Sequence, residues 1–228
     1  MNNKEMITRT SLFVRFCHFI VVILFTLTAL SGLSFFFPSL KIFGWFLGTP
    51  QLARELHPIL GCIIFVLLMI MMLKLACHNI PNKHDIRWLK SIKQILGGKE
   101  PEGVPVGKYN AGQKFLFWCI MALIIVLMVT GIIMWRRHFS DYFSIEVIRI
   151  AILFHSLAAI ALILLIMGHI YMAIWVKGTL QSMISGKVPR AWARKNHNQW
   201  YAEEMEKSYQ EEYNTISQSQ NKQEHIAP

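Results

Sequence analysis

The chain has 228 residues, 54% hydrophobic and only 16% charged, and its charged residues gather in a few segments instead of spreading along it. That distribution belongs to a membrane protein and excludes an ordinary soluble domain, whose buried helices keep a polar stripe at helical period. The formal charge of +10 lies between long apolar runs and no nucleic-acid motif accompanies it, so it reads as a topology signal with anionic lipid headgroups of the bilayer as its partner.

The first apolar run, residues 16–37, is too long for the core of a secretory signal and has no small-residue cleavage pattern after it. It predicts a retained helix over about 14–37. The second run, 57–76, carries only Lys74 as a charge and predicts a helix over about 54–78. The third and fourth, 115–135 and 150–176, predict helices over about 112–136 and 148–176. Each is long enough to span, since a crossing helix needs roughly 20 residues. No run alternates with period two between turn clusters, which argues against a β-barrel.

The expectation is an all-α integral membrane four-helix bundle over residues 1–195, followed by a polar tail, 196–228. Residues 177–195 mix Lys and Arg with Leu180, Met183, Ile184 and Trp192, which suits a segment lying along the membrane surface. The tail itself reads as a short helix fading into disorder. Of the 23 Lys and Arg residues, 18 fall in the N-terminus, the 78–114 loop with nearby Lys74, and the C-terminal region. Basic residues are retained inside during insertion, so both termini are expected in the cytoplasm. The cysteines Cys17, Cys62, Cys77 and Cys119 form no CxxC or CxxCH and read as small hydrophobes, without covalent c-type heme attachment.

Four of the nine histidines, His18, His57, His155 and His169, sit inside or at the lip of apolar runs, where an ionisable group is costly. Any one alone could be a neutral imidazole bonded to a neighbouring helix. Together they form a pattern. His155 and His169 are 14 residues apart on one helix, almost four whole turns, so they share a face and stand about 21 Å apart along it. They therefore serve two stacked sites. With both termini inside, depth pairs His18 with His169 near the cytoplasm and His57 with His155 near the outer face.

Two imidazoles facing each other across a bundle are the usual way to hold heme iron by both axial positions. Arg15 and Arg54, three residues before their histidines, could meet heme propionates or lipid phosphates. Gly32, Gly61 and Gly131 could admit a porphyrin or serve helix packing. His78, His84, His138, His197 and His225 fall in connections or the tail and read as solvated, with His78 also suited to shuttling protons.

The segments Arg15-Phe16-Cys17-His18, Leu56-His57-Pro58, Gly107-Lys108-Tyr109-Asn110-Ala111-Gly112-Gln113-Lys114 and His169-Ile170-Tyr171-Met172-Ala173-Ile174-Trp175-Val176-Lys177-Gly178 carry a family resemblance. Over about residues 5–202 the chain resembles the cytochrome b556 (gamma) subunit of membrane-bound formate dehydrogenase. The resemblance implies two heme b groups, with His18 and His169 as ligands of the inner iron and His57 and His155 of the outer one. It also implies a quinone, menaquinone or ubiquinone, beside His169, Asn110 and Gly112, with Gln113 close by. The residues alone leave Asn110-Ala-Gly-Gln equally readable as a helix N-terminal turn. Implied partners are an iron–sulfur subunit and a molybdenum- or tungsten-containing catalytic subunit on the outer face of a bacterial inner membrane.

Related cytochrome b subunits of hydrogenases and thiosulfate reductases share the four-helix plan. A proton-coupled transporter is the reading from another class, and it lacks the discontinuous helices in repeated halves that such proteins use. On any of the cytochrome readings the chain is an electron-transfer and quinone-reducing component, not a complete enzyme.

Overall fold

A computed structural model describes residues 6–91, 103–176 and 178–224. Lys177, His225 and the 92–102 part of the loop lie outside them. Four long helices form an all-α membrane bundle: α1 (Leu12–Phe36), α2 (Pro50–Leu75), α4 (Ala111–Ile133) and α5 (Ile145–Trp175). A short helix, α3 (Lys83–Lys90), lies between α2 and α4. The long helices start one to four residues before the positions expected from the apolar runs, and the reason is capping. Ser11, Thr49, Asn110 and Ser144 each accept a bond from a backbone N–H in the first turn, so the helix begins at the cap and not at the first apolar residue. Helix α2 stops at Leu75 and ends in a 3-10 turn, Ala76–His78.

Most large apolar side chains on these helices face outward, among them Leu73, Phe115, Leu164 and Ile174. An outward apolar surface suits hydrocarbon and not water. Exposed aromatics mark both ends of the bundle, with Trp175 and Tyr171 at one end and Trp45, Phe46 and Tyr142 at the other. Such rings prefer the headgroup level. The chain is a multi-pass membrane protein.

Helix α1 packs on α2, α4 on α5, and α2 on α4, with α5 closing on α1. At mid-height Ile64, Ile124 and Leu162 meet in one buried layer, surrounded by Leu24, Phe25, Leu68 and Leu127. Leu162 lies seven residues from His155 and seven from His169, so this hydrocarbon layer falls halfway between the two histidine levels.

At the end bearing the termini, β1 (Met6–Thr8) pairs antiparallel with β2 (Lys187–Pro189), Ile7 opposite Val188. The chain reaches β2 through α6 (Thr179–Ile184) and leaves it through α7 (Arg190–Asn196). Gly186 takes φ 78°, and a Cβ there would lie 2.8 Å from the Thr10 carbonyl oxygen, so only glycine closes this junction. The tail differs from expectation: α8 runs over Asn198–Glu224 as one helix. Its beginning belongs to the body, because Trp200 is buried with Val188 and Ala193, and pairs such as Gln199 with Glu203 support the exposed turns. The division at residue 195 thus cuts through a packed cluster.

Candidate functional site

The bundle brings the four membrane histidines together in two pairs. His18 and His169 have ring centroids 6.4 Å apart near the termini, and His57 and His155 have centroids 6.4 Å apart near the opposite end. We call these the proximal and distal pairs. A metal–imidazole bond of about 2 Å, with about 1 Å more from nitrogen to ring centre, puts two imidazoles on opposite sides of one metal about 6 Å apart, centre to centre. Both pairs match that spacing.

The distal rings have close support from two dipeptides, Ser31-Gly32 and Thr130-Gly131. The Ser31 hydroxyl is 2.9 Å from His57 Nδ1, and the Thr130 hydroxyl is 2.9 Å from His155 Nδ1. Each glycine lets the ring lie against the backbone: a Cβ on Gly32 would be 3.2 Å from His57 Cε1, and one on Gly131 would be 3.4 Å from His155 Cε1. The hydroxyl precedes its histidine by 26 residues in one case and 25 in the other. The hairpins α1–α2 and α4–α5 therefore repeat the same device. Sequence reasoning missed Ser31 and Thr130; the signal was a hydroxyl-glycine dipeptide at a common distance before each distal histidine. Gly61 has nothing within 4 Å of an added Cβ and shares none of this.

Beyond the distal pair a cavity of about 610 Å³ opens among Ser34, Phe35, Lys41, Arg54 and Arg136. Phe35 stands edge-on to His57 at 5.5 Å, which joins cavity and ring pair. Pro58 lies inside α2 and has no N–H, so it cannot bond the Arg54 carbonyl one turn back. Arg54 lines a basic cavity together with Lys41 and Arg136. Arg15 does not do the same at the other end: its guanidinium donates to the carbonyls of Met183 (2.8 Å) and Ile184, fastening α1 to the end of α6.

At the termini end, Asn110 and Gln113 close a reciprocal capping box on α4. Asn110 Oδ1 accepts from Gln113 N at 2.9 Å, and Gln113 Oε1 accepts from Asn110 N at 3.1 Å. These bonds use the two carbonyl oxygens and leave the two amide NH2 groups without a partner among the described residues. Gly112 lies under Trp88, where a Cβ would be 3.2 Å from the indole. Trp88 is held there because α3 is tied to α4 by an ion pair, Lys114 to Asp85 at 2.9 Å, with side chains only 7% and 15% exposed.

The loop leading to Asn110 rests on a cluster the sequence did not suggest. His197, expected to be solvated, is buried, since α7 and α8 fold it under the bundle. Its Nδ1 donates to the Gly107 carbonyl at 2.7 Å, so Nε2 accepts from the Arg9 guanidinium at 2.9 Å. Arg9 also donates to the Lys108 carbonyl at 2.9 Å and lies 4.9 Å over the Trp192 ring. Burial pushes His197 down to about 3, with the Arg9 charge adding to the effect, and burial lowers Arg9 to about 10. His197 is therefore neutral at pH 7. His78 differs: it is exposed at the end of α2, with Cys77 Sγ 3.1 Å from its Nδ1.

Residues 9–186 match the prokaryotic cytochrome b561 family. The chain belongs to that family. Membership in the prokaryotic cytochrome b561 family implies heme b, and the bis-imidazole spacing of the two pairs fits it. The chain is 52% identical over 203 residues to the nitrate-inducible formate dehydrogenase cytochrome b556(Fdn) subunit of Escherichia coli K12, covering 89% of this chain and 94% of the relative. It is 46% identical over 205 residues to the formate dehydrogenase cytochrome b556 subunit of Haemophilus influenzae, covering 90% and 86%. Identity to the E. coli K12 cytochrome b556(fdo) subunit is 45% over 203 residues, covering 89% and 95%. The resemblance carried by the short motifs thus extends along nearly the whole chain.

Proposed function

We propose that the chain is the diheme, quinone-reducing and membrane-anchoring subunit of a formate dehydrogenase, lying in a bacterial inner membrane with both termini in the cytoplasm. The observation that carries this reading is the presence of two histidine pairs at bis-imidazole spacing, one near each end of the bundle. When bound, heme b would supply one-electron transfer. His57 and His155 would hold the distal group, with Lys41, Arg54 and Arg136 lining the cavity that would receive its acidic side chains. His18 and His169 would hold the proximal group.

Quinone binds beside His169, where the amide nitrogens of Asn110 and Gln113 and the Gly112 backbone N–H at the start of α4 donate to a quinone carbonyl. Reduction to quinol takes two electrons and two protons. The protons come from the cytoplasmic side, on which His78 and the 103–110 loop lie. The names of the relatives support formate as the electron source. An iron–sulfur subunit would deliver electrons to the distal end, from a catalytic subunit holding molybdenum or tungsten. The quinone is menaquinone or ubiquinone.

The test is heme quantitation with a reduced-minus-oxidised spectrum on the purified chain, followed by formate-to-quinone activity of the assembled complex. About two non-covalent b hemes per chain are expected. A folded chain with none would return the histidines to packing, and a complex reducing quinone with hydrogen or thiosulfate instead would reassign the donor.

A further inference from the structure

Ser31 and Thr130 do more than fill space beside the distal rings. The Ser31 hydroxyl lies 2.9 Å from the Thr28 carbonyl oxygen, and the Thr130 hydroxyl 2.6 Å from that of Val126. A hydroxyl has one proton to give. With that proton committed to a backbone carbonyl, each oxygen turns a lone pair to the imidazole Nδ1 and accepts its N–H. Both distal histidines are thereby held as the Nδ1–H tautomer, with Nε2 bare. The proximal pair has no such arrangement: His18 Nδ1 is buried without a hydrogen-bond partner among the described residues.

We infer that Ser31 and Thr130 are positioning residues for the distal heme, fixing the ligating nitrogen of His57 and His155 and lowering that heme's reduction potential. The inference rests on the diheme reading proposed above. An acceptor on the far ring nitrogen makes the imidazole a stronger electron donor to iron, which favours the oxidised state. Lys41, Arg54 and Arg136 act the other way, since nearby positive charge favours the reduced state. The hydroxyls therefore offset a basic cavity that would otherwise draw the distal potential upward. The outcome suits a group that must pass electrons onward to the proximal site.

The experiment compares wild type with Ser31→Ala, Thr130→Val and the double variant, using the whole chain in its complex. Hemes are counted, both midpoint potentials are titrated optically, and the ferric low-spin signals are recorded. Two hemes are expected throughout, with one midpoint moving to higher potential in each single variant and further in the double, while the other stays. Thr130→Ser, which keeps the oxygen, should return the midpoint toward wild type. Two retained hemes with unmoved midpoints would overturn the inference while leaving the diheme reading intact. A wild-type chain with fewer than two hemes would overturn that reading itself. Loss of the distal heme in Thr130→Val supports positioning if Thr130→Ser restores it, and counts against it if not.

Discussion

The two histidine pairs share one ring separation, 6.4 Å, yet they are held differently. The distal rings are pinned by hydroxyls and pressed against glycines; among the described residues, His18 at the proximal level has neither a hydroxyl at Nδ1 nor a glycine beneath its ring. Separation comes from the distance between facing helices, whereas ring rotation and tautomer need a second contact. The comparison teaches that one bundle can present the same histidine pair twice and support each copy differently, through residues on the neighbouring helix.

The most direct way to break the comparison is to remove one ring from each pair. His155→Ala should lower the heme count from about two to about one while the proximal signal persists. His169→Ala should remove the other heme together with quinone reduction. Equal loss of both hemes from a stable, inserted His155→Ala chain would argue against separate sites.

Glycine substitution sharpens it next. Gly32→Ala puts a methyl 3.2 Å from His57 Cε1 and Gly131→Ala puts one 3.4 Å from His155 Cε1. Distal heme occupancy should fall in both, more for Gly32→Ala, with the proximal heme unchanged. Gly61→Ala, with open space around its Cβ, is the control and should bind heme like wild type.

A smaller effect is expected around the proximal end from Asp85→Asn, which leaves the buried Lys114 ammonium without its carboxylate. Breaking one side of such a pair costs up to about 3 kcal/mol. The loss should appear as easier proteolysis of α3 and a raised quinone KM, with distal heme content unaffected. Adding Lys114→Met to the same chain should recover part of the stability.

The mildest prediction concerns pH. His197 is neutral when folded and titrates at about 3, against about 6.5 when unfolded. Below that unfolded value the unfolded chain takes up a proton that the folded cluster refuses, so stability falls as pH drops from about 6.5 toward 3, by on the order of 1 kcal/mol per unit. Protection factors, which are exchange rates corrected for their intrinsic pH dependence, should therefore fall in β1 and β2 as pH drops from 7.5 to 5.5. His197→Asn should flatten that dependence.

The four spanning helices were legible in the sequence because hydrocarbon demands long uninterrupted apolar runs. The grouping of His18 with His169 and His57 with His155 was legible because depth follows from helix direction. What depth does not carry is rotation. Whether Ser31 faces lipid, a neighbouring helix or His57 depends on a few tens of degrees about the α1 axis, and a Ser-Gly pair in an apolar helix reads first as close packing. The Arg9 and His197 cluster was hidden for another reason: it joins residues 188 positions apart, each polar and each in a segment that looks solvated. The long tail helix was missed because polar composition masks the anchor that Trp200 provides.

The layer of Ile64, Ile124 and Leu162 has a consequence beyond holding the helices together. A proton crossing it would have to shed its hydration among hydrocarbon side chains that offer no group to receive it, at a cost of several kcal/mol. An electron moving between the two levels needs no such group. On the diheme reading proposed above, the same side chains would serve as electrical insulation, blocking proton leak while redox charge passes, so that a voltage built across the bundle would be retained.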